Sequence, residues 1–380
     1  MAIAAVILHK SFSLAFSPFA THLNYAVRRA TPLSSRRATA SVLFATKGFG
    51  GKSGYGGGFG SKSTSASKKQ KKPSRQEIQS KLEKVYGGTS PQEIALATQQ
   101  RVEDSIKALP PHIQMATQLY QQLSKWNTYY SRLSLLQQAS VPQADLDGAA
   151  RAQAEFDRLC SEHGFTEIEL HNIFQKITWD ASADAKVARA ITGDMPSEIE
   201  QRVIQAVKIV AEAVSGEGRC LDVGCGFGVL VPYLVKAGVR RDQIVGVDLS
   251  SEMIRNAREQ HPDISFIAAD FINQYHDDYG FEGVLFCSAL HDMPDPILAI
   301  RKAACLLKPS GILVIVHPQG ASHVLKQSSA NPILVKRGLP DAVELRKIDE
   351  NIQLILEPAP VGSPAEANQG YLAVLKKIET

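Results

Sequence analysis

The stretch Leu221-Asp222-Val223-Gly224-Cys225-Gly226-Phe227-Gly228-Val229-Leu230 constrains the fold more than any other part of the chain. An apolar run there meets three glycines spaced two apart and then resumes as a helical pattern. Such a turn lets backbone approach a ligand without a Cβ in the way, and it aims the first N–H groups of the helix at that ligand. Twenty residues past Gly228, Asp248 ends a second apolar run, Ile244-Val245-Gly246-Val247. If the two runs are neighbouring parallel strands, the carboxylate stands where a ribose would lie.

The segments around this turn alternate. A helix is expected from Ser197, read as its cap with Glu200 at capping-box spacing, and its apolar face is Ile199, Val203, Val207, Val210 and Val214. After the glycine turn come a helix to Gly238, the strand to Asp248, a helix over 250–261, and a strand over 264–269 that ends at Asp270. A fourth strand, 283–288, runs into Ala289-Leu290-His291-Asp292-Met293. A helix over 296–307 then leads through Lys308-Pro309-Ser310-Gly311 to a fifth strand ending at His317. Alternation at this interval predicts an α/β fold with a parallel sheet covered on both faces. Residues 352–356 and 371–375, read with only loop between them, are expected to close it as an antiparallel pair.

The formal net charge of +4 misleads about partners, because residues 1–76 hold 13 Lys and Arg and no acid. The remainder carries 29 basic against 38 acidic residues, so the pI gives no argument for nucleic acid, and no DNA partner is expected. Residues 1–46, rich in Ala, Ser, Thr, Phe and Arg, have transit-peptide composition; they resemble plastid targeting peptides, with a mitochondrial presequence as the rival. Residues 47–75 read as a Gly/Ser/Lys-rich linker, with a nucleic-acid tether as the sharper alternative. No run reaches the roughly 18 apolar residues of a membrane span. The five cysteines lack Cys-x-x-Cys spacing and are expected as free thiols, with no metal site.

Residues 76–192 read as helical, broken at Gly87-Gly88, Pro110-Pro111 and a turn over 142–148. Ala116, Leu119, Leu123, Trp126, Tyr130 and Leu133 form one stripe of a helix begun by Pro111. Packing within the chain explains it; a homodimer through a 111–139 helix is the alternative. Thr178, Trp179, Asp180 and Asp184 are placed to act as a lid, and a helix cap explains Asp180 equally well.

Four motifs in order, the Asp222-x-Gly224-x-Gly226-x-Gly228 turn, Asp248, Asp270, and the Leu290-His291 to Lys308-Pro309-x-Gly311 block, make residues 193–380 resemble a class I S-adenosylmethionine-dependent methyltransferase. The resemblance implies a Rossmann-like seven-stranded, mostly parallel sheet with an antiparallel last strand, and S-adenosyl-L-methionine as cofactor. It covers about half the chain and departs at Ser310, where many relatives have glycine. It implies that Gly224, Cys225, Gly226 and Gly228 form the cofactor turn, oriented by Asp222, and that Asp248 accepts from the ribose hydroxyls. Asp270 would accept from the adenine amino group, with Leu249, Met253 and Phe271 covering the ring. His291 and His317, at strand ends, are the candidate general bases.

A nicotinamide dehydrogenase would need its third glycine at 229, which is Val229. A non-catalytic scaffold of the same fold is the rival from another class. The acceptor is expected to be a small molecule, with RNA and protein acceptors as alternatives; no Asn-Pro-Pro-Tyr, Asp-Pro-Pro-Tyr or Pro-Cys motif marks an amino- or cytosine-methylating branch.

Overall fold

The computed structural model describes residues 74–192 and 195–379, so the transit-peptide reading and nearly all of the linker reading fall outside the described residues. The helical region begins with α1 (Arg75–Tyr86), α2 (Pro91–Lys107), α3 (Pro111–Ser131), α4 (Leu135–Ala139), α5 (Gln143–His163) and α6 (Glu167–Thr192). Ser74, Ser90 and Ser134 open α1, α2 and α4 as capping boxes with Glu77, Glu93 and Gln137. Gly87, at φ 68°, closes α1 in the left-handed conformation that glycine adopts without a Cβ penalty.

Two expectations for this region need correction. The span 142–148 is no turn, since Pro142 sits at the N-cap of α5 and Gly148 lies inside that helix. The helix begun by Pro111 stops at Ser131, and its stripe turns inward in its first half: Ala116, Tyr120 and Leu123 pack with Phe156, Leu159, Leu170 and Phe174 of α5 and α6. The large apolar side chains left exposed in 111–139 are Met115, Tyr129, Leu135 and Leu136.

The second half of the chain continues with α7 (Ser197–Ala213), β1 (Cys220–Val223), α8 (Val231–Lys236), β2 (Ile244–Asp248), α9 (Ser251–Gln260), β3 (Ser265–Ala268), β4 (Phe281–Cys287) and α10 (Pro296–Leu306). It ends with β5 (Leu307–His317), α11 (Ala321–Ala330), α12 (Ala342–Leu345), β6 (Ile352–Leu356), α13 (Pro364–Gln369) and β7 (Tyr371–Lys377). The seven strands form one sheet in the order β3-β2-β1-β4-β5-β7-β6. β1 to β5 run parallel, and β7 inserts antiparallel between β5 and β6. This is the Rossmann-like sheet that the resemblance implied.

The core lies on both faces of the sheet. Leu221, Val223, Val247, Phe286 and Leu313 belong to one layer, while Val203, Val207 and Val210 of α7 pack with Cys220, Ile244, Leu285 and Val314 in the other. Burying each such Leu, Val or Phe stabilises the fold by about 1.5–3 kcal/mol.

Three local readings differ from the structure. Ser197 is the first helical residue after an N-cap at Pro196 and makes no capping bond; Glu200 instead accepts from the Tyr233 hydroxyl. The segment between β6 and β7 contains α13, capped by Ser363, and is not loop alone. The span 308–311 lies within β5, beside a register irregularity against β4, and there Ser310 takes φ 62°. A side chain in that region costs about 1–2 kcal/mol relative to glycine; Ser310 Oγ donates to Glu379.

Candidate functional site

A pocket opens at the carboxyl ends of β1 to β4, where β1 lies between β2 and β4 and the strand order reverses, and α6 forms its opposite wall. Open α/β sheets bind ligands at this position. Seven of the expected cofactor residues line it: Gly224, Gly226, Asp248, Leu249, Met253, Asp270 and Phe271.

The glycine turn is tied to β2 by the N–H groups of Gly224 and Cys225, both donating to the Val247 carbonyl at 2.8 and 3.1 Å. Gly224 has φ 70°, and a Cβ there would stand 2.4 Å from the Ala289 Cβ, so glycine is required for conformation and space alike. At Gly226, φ 54°, an added Cβ would meet nothing within 4 Å, which identifies it as the turn residue whose face is open to the pocket.

Asp248 closes the turn from below. Its Oδ2 accepts from Gly226 N–H at 2.9 Å and its Oδ1 from Ser250 N–H at 2.8 Å, which leaves lone pairs on both oxygens for further donors. Burial pushes its pKa up to about 6 despite these two bonds, with Asp292 and Asp180 adding to the rise. The next helix is capped by Ser250, whose hydroxyl accepts from Met253 N–H.

Asp270 is more heavily committed. Its Oδ1 accepts from the N–H groups of Ile272 and Asn273, and its Oδ2 from the side-chain amides of Asn172 and Asn273 at 2.7 and 2.8 Å. The four acceptor positions of a carboxylate are thereby filled. Accepting from an adenine amino group requires one of the two amides to yield.

Asp222, Cys225 and Gly228 are not among the lining residues. Asp222 is buried in β1, and burial together with the nearby Asp248 raises its pKa to about 7. Gly228 serves packing, since a Cβ there would meet the His261 ring at 2.8 Å and Phe266 at 3.1 Å. Cys225 is a buried free thiol whose pKa is raised by burial; its Sγ would lie 2.8 Å from a Cβ at Gly246.

His291 and His317 also lie off the pocket, behind Asp292, which lines it. His291 Nε2 is 3.5 Å from Asp292 Oδ1, and its ring meets the His317 ring edge to face at 4.9 Å. Burial, then His291 and His323, hold His317 well below the usual imidazole range. Burial raises the Asp292 carboxyl, with His291 and Lys186 opposing. At the end of β4, pocket-lining Ser288 has φ 53°, a conformation uncommon for residues with a side chain.

The sequence reading put Trp179 near the site as part of a lid but missed Asn172, Gln175 and Lys186 of α6. Asn172, Gln175, Trp179 and Lys186 line the pocket from this helix. Two of its residues clamp the loop after β4: Gln175 Nε2 donates to the Asp292 and Leu334 carbonyls, and His171 Nε2 lies 3.2 Å from the same Asp292 carbonyl. That carbonyl only accepts, so His171 carries its proton on Nε2 and its Nδ1 accepts from the Tyr120 hydroxyl at 3.0 Å. Burial lowers the His171 pKa to about 4, which keeps this tautomer neutral. Asp180 lies inside α6 and so does not cap its own helix. Its Oδ1 accepts from Ser250 Oγ at 2.6 Å and from Glu252 N–H at 3.2 Å, so it pins α6 across the first turn of α9.

Residues 221–315 match the family described as "Methyltransferase domain". The chain is 30% identical over 156 residues to the ubiquinone biosynthesis O-methyltransferase of Xanthomonas campestris pv. campestris (strain B100), covering 40% of this chain and 59% of that one. It is 29% identical over 152 residues to the trans-aconitate 2-methyltransferase of Afipia carboxidovorans, covering 39% and 58%. The chain thus spans less than two thirds of the length of these relatives. Among solved structures, magnesium protoporphyrin IX methyltransferase from Synechocystis PCC 6803, with bound S-adenosylmethionine, is similar with 18% identity over 55% of this chain and 97% of that one, at a TM-score of 0.38. The segment of this chain that builds β1 to β4 and the glycine turn is the segment that matches the methyltransferase domain.

Proposed function

We propose that the chain is an S-adenosyl-L-methionine-dependent methyltransferase acting on a small-molecule acceptor in a plastid, with a mitochondrion as the alternative compartment. The observation that carries the reading is the joint geometry of Gly226 and Asp248. An open glycine face and a carboxylate with spare acceptor positions meet at the carboxyl ends of β1 and β2. These features fit a nucleoside with two ribose hydroxyls, and Leu249, Met253 and Phe271 supply an apolar wall for its base. The match to the methyltransferase domain over this segment supports the donor assignment. The relatives' names, an O-methyltransferase and a methyltransferase of a tricarboxylic acid, support a small acceptor with an oxygen nucleophile.

The bound donor supplies an electrophilic methyl group on a sulfonium. The chain's own residues have to align the acceptor for in-line attack and take its proton. Asp292 faces the pocket at the end of β4, where that proton would be released, and His291 backs it. The basic, acid-free composition of residues 1–46 supports the organellar destination.

Thermal-shift titration with S-adenosylmethionine, S-adenosylhomocysteine and NAD tests the donor site; stabilisation by the first two and not by NAD is expected. Transfer of a labelled methyl group into the metabolite fraction of an organelle extract tests the acceptor class. Stabilisation by NAD alone would refute the donor assignment, and label confined to RNA or protein would refute the small acceptor.

A further inference from the structure

Lys186 of α6 stands apart from the other basic residues around the pocket. Its side chain lines the cavity beside Trp179, with the ammonium 4.8 Å from the centre of that ring. Other basic residues of the arm and of α9 are paired: Lys81 with Asp184, Lys176 with Asp180, and Arg255 with Asp184, Glu252 and Glu259. Among the described residues no carboxylate lies within ion-pair distance of Lys186. The charges that act on it are Asp292, on the loop after β4, and Arg189, one turn further along α6. Burial lowers its pKa to about 8, so the group remains mostly protonated at neutral pH inside an enclosed wall. An enclosed cation with no partner at ion-pair distance gains from a ligand that brings an anion to it.

We propose that Lys186 is the carboxylate-binding residue of this pocket, holding an anionic group of a bound ligand against the Trp179 wall. The proposal rests on the donor-site reading above and extends it to a residue outside the segment that matches the methyltransferase domain. Trp179 contributes a face that attracts the ammonium and keeps it aimed into the cavity. Asp292, its own carboxyl raised by burial, stands close enough to feel Lys186 and too far to neutralise it. Two ligands can present the carboxylate, the amino-acid end of the methyl donor or the acceptor itself.

The test uses the intact chain and the variants Lys186→Met and Lys186→Arg. S-adenosylhomocysteine and 5′-methylthioadenosine, the same thioether nucleoside without the amino-acid end, are titrated calorimetrically. Benzoate and its neutral match benzamide are then added to each S-adenosylhomocysteine complex in a thermal-shift assay. A charge-assisted bond to a carboxylate predicts an affinity loss of about 10- to 100-fold in Lys186→Met, recovered in Lys186→Arg. If that loss falls on S-adenosylhomocysteine and spares methylthioadenosine, the carboxylate is the donor's. If both nucleosides are unaffected while a benzoate-specific shift is lost in the Met variant and kept in the Arg variant, it is the acceptor's. Equal weakening of both nucleosides by both variants, or no effect on any probe, overturns the proposal. Failure of the unmodified chain to bind either nucleoside would instead overturn the donor site.

Discussion

Donor binding should release protons near neutral pH, and the structure sets the size of the effect. Asp222 is buried and Asp248 half-buried beside it, with pKa values raised to about 7 and about 6, and no ion pair among the described residues includes either one. With the donor bound as proposed, its ribose hydroxyls at Asp248 and its sulfonium and α-ammonium near the pair would favour the ionised form of both acids. At pH 6.5 the pair holds about one proton, so complete ionisation on binding makes the logarithm of affinity rise by about one per pH unit. Between pH 5 and pH 8 the gain reaches at most about a thousandfold if both acids ionise, and about tenfold if Asp248 alone does. The measurement is calorimetry of S-adenosylmethionine binding at pH 6.5 in two buffers of different ionisation enthalpy. The expected result is a release approaching one proton, falling to about a quarter of a proton in Asp222→Asn and to nearly none at pH 8.5. For stability the sign follows from the raised values. These carboxyls favour the native state fully when protonated, below about pH 4, and that contribution is lost as pH rises through 6 and 7. Donor-induced thermal stabilisation is therefore greater at pH 8 than at pH 5. Binding heats independent of buffer at pH 6.5 would refute the linkage, and with it the placement of the donor's positive charge beside these acids.

Two further substitutions probe the turn and the loop after β4. Gly224→Ala places a Cβ 2.4 Å from the Ala289 Cβ at φ 70°, so conformational strain and overpacking together should cost about 2–4 kcal/mol in urea denaturation; an unchanged midpoint would show that the turn is free to move. His291→Asn removes a group that holds the Asp292 carboxyl down, so the acid limb of the pH–rate profile should move to higher pH; an unshifted profile would separate Asp292 from the proton transfer.

The sheet was legible because its requirements are local. Apolar runs at strand length, separated by helix patterns, leave few ways to cover both faces of a parallel sheet, and the observed strands lie within a few residues of the expected ones. Strand and helix ends were less legible. Ser197 has cap chemistry at cap spacing, yet the N-cap falls one residue earlier, at Pro196, and leaves the hydroxyl without that role. The glycines show a deeper limit. Gly226 faces the pocket and Gly228 faces His261 and Phe266, but both look alike in sequence, because open space for a ligand and close packing of a ring each ask only for a missing Cβ.

Most of the wall formed by α6, Trp179 apart, was hidden for a different reason. A helix spends most of its sequence on packing, and an apolar stripe reports the face that meets a core without reporting what the neighbouring face covers. The usable signal in α6 was polar. His171, Asn172, Gln175 and Trp179 recur at offsets of one, four and eight, and therefore share one side of the helix. Buried amides and imidazoles on such a side need partners, and here they find the Asp292 carbonyl, the Leu334 carbonyl and the Asp270 carboxylate. Those bonds explain why the arm belongs to the site. The α6 side chains tie the acidic end of β3 to the loop after β4, and Asp180 fixes α6 to the helix that follows Asp248. A change in the arm that shifted α6 along α9 would therefore move Asn172, Trp179 and Lys186 together relative to Asp248 and Asp292. Residues on the arm would then alter binding of donor and acceptor alike, although none of them belongs to the glycine turn.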